Sequence, residues 1–399
     1  MPRKATEINK KQLTQLKNKV LEQLDFKLLR SVDCDRLAKV VSEQTNTYIN
    51  GISFKRLYGF TKYPFNPAIQ TLDILSRFVG YRNWYEFGLS LNDNQPISNS
   101  ELDILLSFYD FDLINQIEYH DGGIQSMSRK IALRFREDVG TFKRAIPLIA
   151  RKEFAQIFFI EHFPDYDNLC NYYYLLYETY LKQNKSDSSQ IFGHSMLFLK
   201  AFWKLNNTEC KKHILEINKI NVISDFHPYL IGRYFACNIL FEFIYGDKKR
   251  VNELYNDYLQ LRDQLPKKGK HFLDFPASEY ILSEALLQVK AYKKSIKVIE
   301  LAFREFPLKM EFVRKGYYRQ MQLVWLISKK KLNPKFSMSL TLQKINPSNF
   351  YFISQKYFSV IYYDALYLES RNIEYLNQAE TLSAEMGNSY LREVFLNEC

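Results

Sequence analysis

Between Glu43 and Asp73 the chain carries no acidic residue, yet Lys55, Arg56 and Lys62 stand there among Tyr48, Phe54, Tyr58, Phe60, Tyr63 and Phe65. Cations without carboxylates suit a phosphate backbone, because each phosphate they neutralise releases a condensed counterion. An arginine in such a segment can also bond in bidentate fashion to O6 and N7 of guanine, while a lysine on a loop more naturally meets phosphate. The candidate contacts with double-stranded DNA are therefore Asn50, Ser53, Lys55, Arg56, Tyr58 and Lys62. Arg56 is the expected base reader and Lys62 the expected phosphate contact. The Lys55-Arg56 pair would equally suit a solvated helix face. A third use, stacking of single-stranded nucleic acid, requires Tyr48, Tyr58 and Tyr63 to lie outside the core.

The flanking sequence supplies elements that would hold these residues. Leu13, Leu16, Val20, Leu21, Leu24 and Leu28 share one face of a helix expected from Ile8 to Val32. Asp33 or Asp35 can cap a second helix, with Leu37, Val40 and Val41 as its apolar stripe and Ser42 to Asn46 ending it. Asn50-Gly51 reads as a turn dipeptide, Ser53 as the N-cap of a short helix through Leu57 or Tyr58, and Gly59 as its stop. Phe54 and Leu57 would then face the core, leaving Lys55 and Arg56 turned outward. A further helix is expected with Asn66 as cap, Pro67 at its first position and Gly80 just past Val79. Ile69, Leu72, Leu75, Phe78 and Val79 form its buried stripe, and Trp84 and Phe87 close a small core.

Charge is distributed to match. The 399-residue chain has a net charge of +11, and residues 1–91 hold 15 Lys/Arg against 8 Asp/Glu, so most of the excess falls in less than a quarter of the length. Gly (13) and Pro (12) are scarce, which favours helix over a turn-rich β fold, and 29 Tyr with 31 Phe supply aromatic packing between helices. The five cysteines form no CxxC, so neither a zinc site nor a disulfide framework is indicated. The opening MPRKATEINKKQ has no apolar stretch, and the most apolar window, Tyr229 to Tyr245, is broken by Arg233 and Glu242. The expectation is a cytoplasmic chain with no membrane span.

The run SFKRLYGF at 53–60, a Pro-containing loop, and TLDILSRFVGYRNWYEF at 71–87 resemble a bacterial family of lambda-repressor-like (XRE-like) helix-turn-helix heads that read approximately TLKRLWGY, then STLDVLARFLGYKDWEDF. The match covers about a fifth of the chain. It implies a compact DNA-binding head, with Lys55 and Arg56 on the family's Lys-Arg pair and Trp84 and Phe87 on its closing aromatics. Tyr58 stands where Trp is usual and Ser53-Phe54 where Thr-Leu is usual, and the turn between Thr45 and Ser53 is longer than in the shortest repressors. The expected organisation is a helix-turn-helix head at 1–91, a linker at 92–100 and a helical-repeat body at 101–399.

In the body, amphipathic helices are expected at about 102–117, 126–135, 149–163, 168–182, 188–205, 228–245, 251–265, 278–289, 292–306, 311–328, 350–370, 373–386 and 388–397. Tyr280 to Pro307 resembles a tetratricopeptide (TPR) unit, although Ser283 stands where Gly is expected and Ser295 where Ala is expected. The fold class is thus all-α, with the head followed by an α-solenoid of degenerate TPR-like hairpins. Phe336, Met338, Leu340 and Leu342 alternate with period two and suggest a short strand.

The sequence contains no GxxxxGK[ST], GxGxxG, HExxH or GxSxG, so an enzyme is not expected, nor a cofactor or a metal. His120-Asp121 and His162 near Glu161, Asp165 and Asp167 suit loops better than catalytic pairs. The basic runs at 248–250, 267–270 and 329–331 fall at expected helix ends, where cations complement the macrodipole, a second nucleic-acid surface being the alternative. The expected role is a DNA-binding transcription regulator whose body mediates dimerisation, binding of a peptide or protein effector, or both. The alternative is a non-enzymatic scaffold or adaptor in phage defence or mobile-element biology.

Overall fold

The computed structural model describes residues 10–24, 26, 28–45, 47–62, 67–81, 83–84, 87, 99–110, 122–265, 276–306 and 316–396. It is all-helical, with no strand among the described residues, and divides into two compact units, Met1–Asn99 and Ser100–Cys399.

The first unit contains α1 (Lys10–Glu22), α2 (Asp33–Thr45), α3 (Gly51–Leu57) and α4 (Ile69–Phe78). Leu16 and Val20 of α1, Leu37 and Val41 of α2, Phe54 and Leu57 of α3, and Leu72, Leu75 and Phe78 of α4 meet in one core, closed by Trp84 and Phe87. The last two rings stack at 5.8 Å, and the Trp84 amide donates to Asp73 Oδ1 at 2.8 Å. Three expectations about helix ends need correction. α1 stops at Glu22 rather than Val32, because the Asp33 carboxylate accepts from the amides of Leu29 and Arg30 at 3.0 and 2.7 Å and makes a turn of that stretch. The short helix is capped by Asn50, whose Oδ1 accepts from the Ile52 amide at 2.9 Å, so Ser53 lies inside it. Finally, α4 begins at Ile69 behind an extended Ala68 with no side-chain cap, which leaves Pro67 outside the helix, while Asn66 is outside the described residues. Gly59 and Gly80 end α3 and α4 in the left-handed region, as expected.

The second unit comprises α5 (Asn99–Ser107), α6 (Gly122–Glu137), α7 (Val139–Ile149), α8 (Tyr174–Gln183), α9 (Asp187–Trp203), α10 (Asn207–Ile217), α11 (Pro228–Ile244), α12 (Arg250–Gln264), α13 (Ala277–Gln288), α14 (Tyr292–Glu305), α15 (Tyr317–Leu332), α16 (Gln355–Ser370) and α17 (Ile373–Glu385). Helical hairpins are the repeating feature: α9 with α10, α11 with α12, α13 with α14, and α16 with α17. Their first members, with α15 inserted before the last, also pack in series, α9 on α11, α11 on α13, α13 on α15 and α15 on α16. The row returns to its start through Asp167, which accepts from the amides of Lys356 and Tyr357 at 3.1 Å and from Arg136 at 3.1 Å.

A helical hairpin, α13–α14, occupies the stretch from Tyr280 that was expected to be TPR-like. Its two atypical serines are both buried, and Ser295 Oγ donates to the Ser283 carbonyl at 2.8 Å, so two small polar residues serve where helix backbones run close. Two helices escaped sequence reading, α7 and α10, capped by Asp138 and Asn206. The helix expected at 149–163 begins instead at Glu153 and widens into a π-helix, Gln156–Glu161, and Leu391–Phe395 is likewise a π-helix. The strand expected at 336–342 is absent. Met338 and Leu342 are buried, but Leu340 is exposed, and Ser339–Leu342 is one helical turn. The loop is organised by Glu369, which accepts from Lys330, from the Ser337 hydroxyl and from the amides of Met338 and Ser339. The expected linker, apart from Asn99 and Ser100, lies outside the described residues, as do His120, Asp121 and the basic run 267–270.

Candidate nucleic-acid interface

The candidate surface is built on α2, residues 47–50 and α3. Ile49 is buried, and its amide donates to Ser42 Oγ at 3.1 Å, so the turn is pinned back on α2. Gly51, read in the sequence as half of a turn dipeptide, is the first residue of α3, without a left-handed φ. The reason for glycine is proximity: a Cβ there would lie 2.0 Å from Asp35 Oδ1 and 3.1 Å from Asp35 Cα. α3 thus starts directly against the first turn of α2.

That contact decides the electrostatics. Asp35 Oδ2 accepts from Lys55 Nζ at 2.8 Å, and the Lys55 side chain is 23% exposed. The acid-free window is acid-free only in sequence, and Lys55 does not stand outward as expected. Arg56 and Lys62 are exposed, as is the cap Asn50, while Ser53 is half-buried beside it. The Thr61 amide donates to the Lys55 carbonyl at 3.1 Å, folding the loop that carries Lys62 back on α3. Asn50, Ser53, Arg56 and Lys62 are thereby gathered on or beside one short helix.

Tyr58 departs from the expected set. Its hydroxyl donates to the Lys17 carbonyl at 3.2 Å, Lys17 Nζ lies 5.2 Å from its ring, and burial pushes its pKa up. It ties α1 to α3 rather than facing solvent, and so belongs with the packing residues. Of the other two tyrosines named for stacking, Tyr48 is 82% exposed and Tyr63 is outside the described residues. Sequence reading also missed Ile52, which is 48% exposed at the start of α3. A signal for it existed: Ile52 stands two residues before Phe54 and five before Leu57, off the i, i+3, i+4 phase of the buried face.

Elsewhere, several of the other candidates have partners within the fold. His162 Nδ1 lies 2.7 Å from the Ile157 carbonyl and its ring stacks on Phe158. In the run 329–331, Lys330 pairs with Glu369 at 2.8 Å and Lys329 with Glu300 at 3.2 Å, and in the run 248–250 Arg250 pairs with Glu242 at 2.7 Å. Among the described residues no cluster of three or more His, Cys, Asp or Glu could hold a metal ion, and no helix is long and apolar enough to cross a membrane.

No protein family, curated protein or solved structure matches the chain.

Proposed function

We propose that the chain is a DNA-binding transcription regulator, the first unit holding duplex DNA and the helical body serving dimerisation or a peptide or protein effector. The observation that carries this reading is the gathering of Asn50, Ile52, Arg56 and Lys62 at the solvent side of α3, on a unit that holds most of the chain's excess positive charge. Arg56 would read a guanine edge, Ile52 would meet a thymine methyl group, and Lys62 would hold phosphate. Asn50 accepts from the Ile52 amide through Oδ1, which fixes its side chain and leaves the amide nitrogen and the second Oδ1 lone pair to meet a base.

The test is a gel shift of the full chain on a selected site and on scrambled duplex at several salt concentrations. Arg56→Ala should lower affinity for the site far more than for scrambled DNA, by about 1 to 3 kcal/mol. Lys62→Ala should weaken both alike and flatten the salt slope by about one. No duplex binding at low salt would leave the adaptor reading. That reading is favoured by the pairing of Lys55 with Asp35 and by the apolar exposure of Tyr48 and Ile52, which would suit a protein partner.

A further inference from the structure

Two adjoining hairpin turns of the body carry cations that helix stability does not call for. Lys248 and Lys249 lie in the turn between α11 and α12, and Arg250 opens α12. Lys290 lies in the turn between α13 and α14, with Lys293 and Lys294 in the first turn of α14. Between Glu284 and Glu300 the chain holds four lysines and no acid. The run 248–250 was expected at a helix end that cations complement, but it stands at a helix start. Lys249 is the N-cap of α12, its side chain accepts nothing, and α14 has no acid in its first turn. A cation there opposes the macrodipole. Acids take that place elsewhere in the body, Glu209 in α10 and Glu374 in α17.

Lys290 adds a steric cost. Its φ of 61° is left-handed, a conformation that Gly59, Gly80 and Gly387 supply at other helix ends. A lysine is kept where glycine would sit more easily.

The two turns form one surface. α11 packs on α13, and Lys294 Nζ donates to Asn252 Oδ1 on α12 and lies 5.4 Å from the Tyr255 ring. Lys248, Lys249, Arg250, Lys290 and Lys293 are exposed. Two neighbouring acids are engaged within the turn. Glu242 is buried and accepts from Arg250 at 2.7 Å and from the Asp247 amide at 2.8 Å, and Asp247 accepts from the Lys249 amide at 2.9 Å. Glu253, exposed in the first turn of α12, offsets one of the cations. No large apolar side chain is exposed among the described residues from 224 to 331.

We propose that this edge of the body binds the phosphate backbone of a nucleic acid. Cations with no exposed apolar residue among them suit phosphate. The core of a protein interface is instead rich in aromatics and poor in lysine, and docking on a lipid surface needs apolar side chains that sink into it. Packed helices lie about 8 to 10 Å apart, and one strand of a duplex offers a phosphate about every 3.4 Å of axis. The two turns therefore meet phosphates about three apart on one strand. Such contacts carry no sequence preference. The proposal goes beyond the reading of the body as a dimerisation or effector unit, and it does not rest on the head holding DNA.

The test uses the full chain with Arg56→Ala and Lys62→Ala in the head, so that changes made in the body are read by themselves. Affinity for a random-sequence duplex, for single-stranded oligothymidine, for vesicles containing phosphatidylserine and for polyglutamate is measured by fluorescence anisotropy or co-sedimentation across a salt series. Binding of duplex is expected at low salt, and Lys249→Ala and Lys293→Ala should each flatten the slope of log K against log salt by about 0.9, roughly eightfold in affinity at about 0.1 M salt. On the single strand the flattening should be about 0.7 for each, and if only the single strand binds, that is the form the edge takes. Lys290→Gly relieves the left-handed strain, so it should melt no lower than its parent and still lose affinity several-fold, which a purely structural lysine would not do. The proposal is overturned if neither nucleic acid binds, if all three substitutions leave the slope unchanged, or if vesicles or polyglutamate bind as tightly as nucleic acid. Failure of the head reading would show separately, as an affinity for duplex that Arg56→Ala and Lys62→Ala do not alter.

Discussion

Replacing Asp35 with Asn should make the head bind duplex DNA more tightly, because it releases Lys55. The two charges are 2.8 Å apart, with side-chain exposures of 53% for Asp35 and 23% for Lys55. An ion pair this wet contributes less than about 1 kcal/mol to stability, and losing an acid from the first turn of α2 removes about 0.3 to 1 kcal/mol more. The fold should therefore persist. Asn has the shape of Asp, so the close approach of Gly51 is undisturbed. The change in binding is larger. A lysine restored to one phosphate contact steepens the salt dependence of log K by about 0.9, which at about 0.1 M salt corresponds to roughly eightfold tighter binding. The gain should be equal on specific and scrambled duplex, because an ammonium on phosphate carries no sequence information. The assay is fluorescence anisotropy on both duplexes across a salt series, with Asp35→Asn/Lys55→Ala as control. An unchanged slope in Asp35→Asn, or a gain that persists in the double variant, would refute the assignment of Lys55 to a masked phosphate contact.

Three further outcomes follow from the packing. Trp84→Ala should cost about 3 to 5 kcal/mol, opening residues 10–87 to limited proteolysis while the body resists as before; unchanged cleavage would contradict the core around Phe87. His194 and His213 share one hydrogen bond between their Nδ1 atoms at 3.0 Å, and burial, then the neighbouring His194 charge, holds His213 at about 4 instead of 6.5. A depressed histidine favours the neutral folded form, so its contribution is full above about 6.5 and is lost as pH falls towards 4. The difference is worth roughly 3 kcal/mol, about 2 after screening at the ring's edge, and His213→Leu should flatten the fall of the urea midpoint over that window. Glu369→Gln should destabilise the body by about 1 to 3 kcal/mol through loss of charge-assisted bonds. Burial works to raise the Glu369 pKa, but Lys330, Ser337 and the Met338 amide outweigh it and hold it at about 2, so the stability it lends should fade as pH drops from 4.5 towards 2, which an acid-unfolding comparison with the variant would detect.

What could be read from residues alone was whatever depends on neighbours in sequence. The apolar phase of Leu37 and Val41, of Phe54 and Leu57, and of Leu72, Leu75 and Phe78 marks buried faces because helical geometry puts positions three and four apart on one side. Gly59 and Gly80 mark helix ends because a left-handed residue costs glycine little. The all-helical class follows from many such stripes and few turn residues. Helix ends failed where a side chain bonds back to the backbone, as Asp33 does to Leu29 and Arg30, because that competition between local structures carries no periodic signal. The period-two run at 336–342 misled for the same kind of reason, since Glu369 gathers the backbone there from about thirty residues away.

The candidate site divides along the same line. That Lys55, Arg56 and Lys62 form a basic cluster is legible, because charge is a property of each residue. Whether each charge faces solvent is not, because Asp35 lies 20 residues before Lys55 and is brought to it by the crossing of α2 and α3 at Gly51. Tyr58 looks like its exposed neighbours until α1 supplies Lys17 beneath it. Arg233 is the extreme case. In sequence it is one charge interrupting an apolar helix, and only the packing of α11 on α13, with Tyr166 arriving from 67 residues away, makes it a buried cation. Local pattern determines which residues form helices and which faces they bury, while the pairing or masking of each charge depends on contacts across the fold, whose free energies no single segment encodes.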